Sequence, residues 1–129
     1  MRISTLLPSL ALAMVSHVAV AGWIPIDSPP NRTIYADLKA ARESGDLITL
    51  WVLIDHDTVQ KEADDSYLSS KGQWEINCKE NSARQLFHVI YPGHMGGGDT
   101  IWSGSLDRQL QPIVPGSIGQ TLFEAACDK

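Results

Sequence analysis

The chain contains two cysteines, Cys78 and Cys127, and whether they pair decides much of what it can fold into. A bridge would close a loop of about fifty residues and contribute roughly 4 kcal/mol by a chain-entropy estimate. That is a large share of the ~5–15 kcal/mol by which a domain is typically stable. The alternative is a pair of free thiols. A metal site is disfavoured because neither cysteine has a second ligand at a suitable spacing.

The start of the chain indicates the compartment, and with it the state of the cysteines. Residues 1–21 have a basic start, an apolar run over residues 6–15 and small residues before Gly22, the pattern of a cleaved secretory signal peptide. An uncleaved anchor is disfavoured, because crossing a bilayer takes roughly 20 apolar residues. We therefore expect one exported domain, residues 22–129, in an oxidising compartment where the two cysteines form a bridge.

Composition narrows the choice of partners. The precursor has 15 acidic and 10 basic side chains and a formal net charge of −5. Such a chain has no electrostatic attraction to phosphate backbones or to anionic membrane surfaces. Nucleic acid is therefore not an expected partner.

No segment after the predicted signal peptide is long and apolar enough for a transmembrane helix, so we expect no membrane span.

An apolar segment at residues 47–54 is the strongest strand signal in the chain. Both of its faces are mostly apolar, which predicts a central strand covered on each side, with Trp51 in the core. Residues 37–43, before this segment, have weak helical character. Residues 55–65, after it, are polar and predict a turn.

Two later segments, residues 67–79 and 83–91, predict an antiparallel hairpin. Side chains at the end of the first segment alternate between apolar and polar, which places Cys78 on the buried face of a half-buried strand. A glycine-rich loop is expected at residues 92–98. Residues 100–102 predict one more short strand beyond it.

The end of the chain predicts a helix. Ser117 can cap its N-terminus, and a glutamine three residues later completes a capping box. Cys127 falls on the apolar side of this helix, so a bridge to Cys78 would tie the helix to the sheet. Several adjacent strands followed by one late helix indicate an α+β fold with an antiparallel sheet.

Asp55, His56 and Asp57 form the first cluster that could carry chemistry. Side chains alternate along a strand, so His56 is expected to point away from both carboxylates. A metal site would then need His88 or His94 from elsewhere in the chain. We favour a polar strand end over a metal site.

Two further motifs lack the residues that their chemistry needs. The glycine-rich loop at residues 92–98 has neither the lysine nor the helix of a phosphate-binding P-loop. Ser117 lacks the glycine that stands two positions before the serine of a hydrolase nucleophile elbow. We therefore expect no catalytic residue and no cofactor. Loops on rigid sheets often carry binding contacts. The expected binding residues are Tyr91, His94, Met95 and Trp102.

A series of different short motifs follows the predicted strands and loops in a particular order. They are Trp23, Tyr35-Ala36-Asp37, Leu50-Trp51, Ser69-Ser70-Lys71, residues 74–79 (WEINCK), residues 95–98 (MGGG), Pro112, residues 114–118 (VPGSI) and Cys127. This ordered set, with both cysteines in place, resembles the surface-adhesin protein E family of bacteria. The resemblance covers essentially all of residues 22–129.

The resemblance implies an antiparallel sheet of about six strands, with a C-terminal helix packed on it and tied to it by a disulfide. It also implies an exported bacterial protein, in the periplasm or at the cell surface, that binds host extracellular-matrix proteins such as vitronectin and laminin. The chain departs from an adhesin in having no cysteine for lipid attachment at the cleavage point and no basic patch for acidic ligands.

Two functional hypotheses follow. The first is an exported, adhesin-like protein that binds a protein partner and needs no cofactor. The second is a small periplasmic ligand- or metal-binding protein or enzyme. Its site would lie near residues 91–99 and would combine His88, His94 and acidic groups. Convergence of these groups in one cleft would favour the second hypothesis, and their dispersal would favour the first. A structural accessory subunit of an envelope complex is indistinguishable from the first at this point.

Overall fold

The computed structural model describes residues 22–127 as a sheet of eight strands with one α-helix. The strands are β1 (Ile24–Asp27), β2 (Arg32–Ala36), β3 (Arg42–Ser44), β4 (Leu47–Glu62), β5 (Asp65–Asn77), β6 (Ser82–Tyr91), β7 (Trp102–Ser105) and β8 (Gln111–Pro112). Helix α1 spans Ile118–Cys127, and a short 3-10 turn spans His94–Gly96. The signal peptide predicted at residues 1–21 lies outside the described residues.

The strands pair in the order β1-β2-β4-β5-β6-β7, while β3 pairs with β4 and β8 pairs with β6. Every pairing is antiparallel. The main path thus has six strands, followed in the chain by a single helix. The predicted α+β architecture is confirmed.

Strand β4 is longer than the sequence predicted. It pairs with β5 from Leu47 to Asp55, passes through an irregularity, and pairs again from Gln60 to Glu62. The prediction of a turn over residues 55–65 is therefore wrong, and the turn is confined to Ala63 and its neighbour. The polar residues mislead because this part of the hairpin is mostly exposed, and backbone pairing needs no apolar side chain.

The weak helical character predicted for residues 37–43 is also wrong. A turn follows β2, and the chain then forms β3, which pairs with the start of β4 through Ser44 and Leu47. Gly45 makes this tight hairpin possible, because its φ of 61° lies in the left-handed region that glycine adopts at little cost.

The core lies on one face of the sheet, here called the helix face because α1 packs on it. Cross-strand pairing places Ile48 opposite Ile76 and Ile34 opposite Ile54 on this face. The buried cluster consists of Ile34, Ala36, Ile48, Leu50, Val52, Ile76, Ala83, Leu122 and Ala126. Each large side chain that is fully buried contributes about 1.5–3 kcal/mol of hydrophobic free energy.

A disulfide fastens α1 to the sheet, as predicted. Cys78 directly follows β5 and is bonded to Cys127, the last residue of the helix, with Cα atoms 5.6 Å apart. The predicted cap is present at the other end of the helix, where the backbone N–H of Gln120 donates to Ser117 Oγ at 3.4 Å. The side chain of Gln120 reaches back to accept from the backbone N–H of Gly116 at 2.6 Å.

Within residues 22–127, the opposite face of the sheet, here called the loop face, carries the 3-10 turn and no α-helix. Leu53 and Val89 are buried on it, but Trp51 is 36% exposed. The prediction that β4 is covered on each side, with Trp51 in the core, is therefore wrong. Strand alternation points Trp51 toward the loop face, where its ring meets Phe87 edge-on with centroids 6.1 Å apart.

Candidate functional site

The glycine-rich loop after β6 is held flat against the loop face by side chains from two strands. Ser69 of β5 is fully buried, and its hydroxyl donates to the Gly93 carbonyl at 2.6 Å. The same hydroxyl accepts from the Gly96 amide at 2.8 Å. Since Ser69 Oγ acts as donor and acceptor at once, it fixes both ends of the 3-10 turn to the sheet.

Asp55 of β4 provides the second attachment. Its Oδ1 accepts from the Met95 backbone N–H at 3.0 Å and lies 3.0 Å from His94 Nδ1. Asp55 pairs with Ser69 across β4 and β5. The two polar groups under the loop are thus neighbours, and they fix the His94 side chain and the Met95 backbone.

Glycine is favoured at position 96. Its φ is 74°, and a Cβ there would lie 2.8 Å from Cε of Lys71. The Lys71 ammonium is 5.0 Å from the ring centroid of Tyr91 and 6.0 Å from that of Trp23. These distances allow cation–π attraction, so the lysine links the N-terminal segment, the loop and the sheet.

The structure brings three of the four expected binding residues together and separates the fourth. Tyr91, His94 and Met95 lie on the loop face, the last 42% exposed. Trp102 of β7 pairs with Ile90 and therefore lies on the helix face. Its ring is 6.0 Å from the ring of His88. That these residues bind a partner stays a prediction.

The histidines that a composite site would need are also separated by the sheet. His94 is at the loop face beside Asp55, whereas His88 is at the helix face with Nε2 3.2 Å from Glu62 Oε2. In the part of the chain that the structure describes, no group of three or more His, Cys, Asp or Glu side chains has a metal-binding arrangement.

His56 points away from Asp55, in agreement with the alternation expected along a strand. Its ring meets that of Tyr67 edge-on at 5.8 Å. Burial lowers the pKa of His56 below the usual 6.5, and the charge of Arg32 lowers it further. Burial also raises the pKa of Tyr67 above the usual 10.0, with a smaller effect from Glu62.

A cavity on the helix face, beside the edge strand β7, was not predicted. It has a volume of about 340 Å³. The tip of the β4–β5 hairpin, residues 62–65, forms one wall. Strands β6 and β7 and the segment after β7, residues 106–108, form the others. Its lining consists of Glu62, Ala63, Asp65, Gln85, His88, Ile90, Trp102, Leu106 and Arg108. We call it the Trp102 cavity. The second functional hypothesis places His88 in a composite site with His94 near residues 91–99, and no sequence signal joins it to Glu62, 26 residues away.

A side-chain hydrogen-bond chain holds the hairpin tip over this cavity. Gln85 Nε2 donates to the Phe87 carbonyl at 3.2 Å and lies 3.2 Å from His88 Nδ1. Because the amide nitrogen of Gln85 can only donate, His88 Nδ1 accepts from it, which leaves Nε2–H to donate to Glu62. Gly72 leaves room for the side chain of Gln85, because a Cβ at position 72 would be 2.5 Å from Gln85 Nε2. This glycine inside a strand is the one local hint of the arrangement in the sequence.

Comparison with protein families supplies the deciding observation. Residues 23–128 match the model of the surface-adhesin protein E family. The chain belongs to this family. The resemblance found in its motifs is thereby confirmed. No curated protein matches the sequence.

Within residues 22–127, no helix has the length and apolarity needed to cross a membrane.

Solved structures of protein E from Haemophilus influenzae share the fold. Crystal form II has a TM-score of 0.60 at 14% identity, covering 84% of this chain and 89% of that chain. The selenomethionine form has a TM-score of 0.59 at 14% identity, covering 84% and 88%. Protein E from the non-typeable organism has a TM-score of 0.56 at 15% identity, covering 84% and 77%. At such low identity the similarity establishes the fold alone.

Proposed function

We propose that this chain is an exported, adhesin-like protein whose mature form, residues 22–129, binds a protein partner through the loop face. The partner class is host extracellular-matrix protein. Membership of a surface-adhesin family supports a surface role that rests on binding. The net charge of −5 argues against nucleic acid as the partner.

The observation that carries this proposal is the fixed loop on the sheet face that α1 does not cover. Ser69 and Asp55 hold the turn in place through hydrogen bonds of 2.6–3.0 Å. A surface that is ordered before binding loses less conformational entropy when a partner arrives. Exposed Trp51 and Met95 add the aromatic and methionine side chains that are enriched in protein interfaces.

The second hypothesis, a periplasmic carrier or enzyme with a site near residues 91–99, loses its central requirement. It needs His88 and His94 to converge with acidic groups. The two histidines lie on opposite faces of the sheet, each beside one carboxylate. This dispersal favours the binding protein, and we assign no catalytic residue.

Surface plasmon resonance with the oxidised mature domain tests the proposal, using immobilised vitronectin and laminin as the probes. We expect saturable binding that Trp51→Ala and Met95→Ala each weaken at least about tenfold, since exposed side chains at the centre of an interface carry most of its energy. Trp102→Ala, at an exposed tryptophan on the opposite face, is the matched control and should leave the affinity unchanged.

Two outcomes contradict the proposal. One is no saturable binding to either matrix protein by a domain whose disulfide is intact. The other is binding that Trp102→Ala abolishes while Trp51→Ala and Met95→Ala leave it unaffected, because the contact would then lie on the helix face.

A further inference from the structure

The Trp102 cavity has the size of a small-molecule site. Its volume of about 340 Å³ falls in the lower part of the range of ligand pockets, roughly 300–1,000 Å³. Ile90 is buried at its base, and Leu106 is half-buried beside it. Trp102, 44% exposed, offers a ring face to an occupant. These three side chains make an apolar surface suited to a single hydrocarbon or aromatic group.

The cavity also contains two charges of opposite sign that have no partner. Among residues 22–127, the carboxylate of Asp65 and the guanidinium of Arg108 make no hydrogen bond or ion pair. Both side chains line the cavity without neutralising each other. A ligand with only one charge would satisfy one of them and be repelled by the other.

The walls that carry these charges are fixed in position. On one side, the bond from His88 Nε2 to Glu62 at 3.2 Å holds the hairpin tip, and Asp65 pairs directly with Glu62. On the other side, the Arg108 carbonyl accepts from the Arg84 guanidinium at 3.1 Å. The segment is also attached by a 2.8 Å bond from the Leu106 amide to the Leu86 carbonyl.

We propose that the Trp102 cavity binds a zwitterionic small molecule of the α-amino acid or dipeptide class that carries an apolar side chain. The ammonium group of the ligand pairs with Asp65, with Glu62 beside it, and the carboxylate of the ligand pairs with Arg108. The apolar side chain packs on Trp102 and Ile90. The volume limits the occupant to about one or two residues.

The ligand class follows from charge and size together. An inorganic or sugar phosphate would meet Arg108 but also the two carboxylates of the hairpin tip. An uncharged apolar ligand would displace water from Asp65 and Arg108 without supplying a charged partner, which is unfavourable. This site goes beyond the proposed adhesive role, because it lies on the helix face and does not use the loop.

The test is an NMR titration of the ¹⁵N-labelled, oxidised mature domain with L-phenylalanine as the probe. We expect saturable shifts of the Trp102 indole N–H and of the Leu106 and His88 amides. N-acetyl-L-phenylalanine, which lacks the ammonium, and L-phenylalaninamide, which lacks the carboxylate, should each bind at least about tenfold more weakly, because each loses one charge-assisted hydrogen bond.

Variants assign each charge to its partner. Asp65→Asn should weaken L-phenylalanine at least about tenfold while leaving the acetylated probe unchanged, and Arg108→Gln should do the same while leaving the amide probe unchanged. Asp64→Asn, in the same hairpin turn, and Arg42→Gln, on exposed β3, are the matched controls and should bind like the parent. Asp64, Arg108 and Arg42 are exposed and Asp65 is partly exposed, so the variants should keep the native spectrum.

The proposal is overturned if L-phenylalanine gives no saturable shift at these three residues up to about 10 mM. Equal affinity for all three probes also overturns it, because the cavity would then recognise only the phenyl ring. Neither result depends on vitronectin or laminin binding, so failure here is distinguishable from failure of the proposed function.

Discussion

At the scale of single residues, a few buried polar groups determine the shape of the loop face. Ser69 is the clearest case, since one hydroxyl satisfies the Gly93 carbonyl and the Gly96 amide together. No local sequence pattern predicts that Ser69 holds the loop, because its hydrogen-bond partners are 24 and 27 residues away. The glycine-rich loop predicted at residues 92–98 is present, and glycine tolerates the positive φ of 74° found at Gly96.

Ser69→Ala should destabilise the domain by about 1–3 kcal/mol, because it leaves a carbonyl and an amide of the loop without their buried partner. Urea unfolding gives the free energy, and amide exchange at Gly96 should become faster. Ser66→Ala, at an exposed position of the same strand, is the control and should change stability by less than about 0.5 kcal/mol. Equal effects of the two variants would show that the loop does not depend on this hydroxyl.

His56 should make the domain less stable in mild acid. Because burial and Arg32 lower the pKa of His56 in the folded state, the unfolded chain takes up the proton first as the pH falls below 6.5. The contribution of the neutral ring to stability is therefore present above pH 6.5 and is lost below it. We expect His56→Gln to reduce the loss of unfolding free energy between about pH 7.5 and about pH 5.5. An unchanged loss in the variant would refute this assignment.

At the scale of elements, β4 and β5 show what local pattern can and cannot predict. Alternation identified the inner part of the hairpin and the face that carries Cys78, because that part is half-buried. The outer part, up to Glu62, is mostly exposed and carries no apolar signal. Irregular pairing between Asp55 and Gln60 and between Gln73 and Trp74 then sets which side chains meet across the strands. The Glu62–His88 contact depends on these irregularities, so the Trp102 cavity could not be predicted.

Glu62→Ala should release the hairpin tip without unfolding the domain. Glu62 is 52% exposed, so its bond to His88 contributes less than about 1 kcal/mol to global stability. Amide exchange at Ala63 and Asp65 should nevertheless become faster, because the side-chain bond from Glu62 to His88 of β6 is lost. Asp64→Ala, in the same turn, controls for loss of charge. If both variants leave exchange at the tip unchanged, His88 does not hold the hairpin.

At the scale of the whole molecule, the sheet divides the protein into two surfaces of different kinds. The helix face carries the core, the disulfide-linked helix and the Trp102 cavity, whereas the loop face carries the fixed turn and exposed Trp51. The α+β class, the helix and its bridge to the sheet could be predicted, because strand alternation and the cap at Ser117 are local signals. The position of Tyr91 on one face and Trp102 on the other could not be predicted, because it follows from the register between strands.

Hydrogen–deuterium exchange of the oxidised mature domain, free and bound to immobilised matrix protein, tests most directly whether partners bind at the loop face. We predict slower exchange in the complex at residues 91–98 and at the β4 and β6 residues around Trp51 and Phe87. Exchange at β7 and in α1 should not change. Protection confined to β7 and the Trp102 cavity, with residues 91–98 unaffected, would contradict the account.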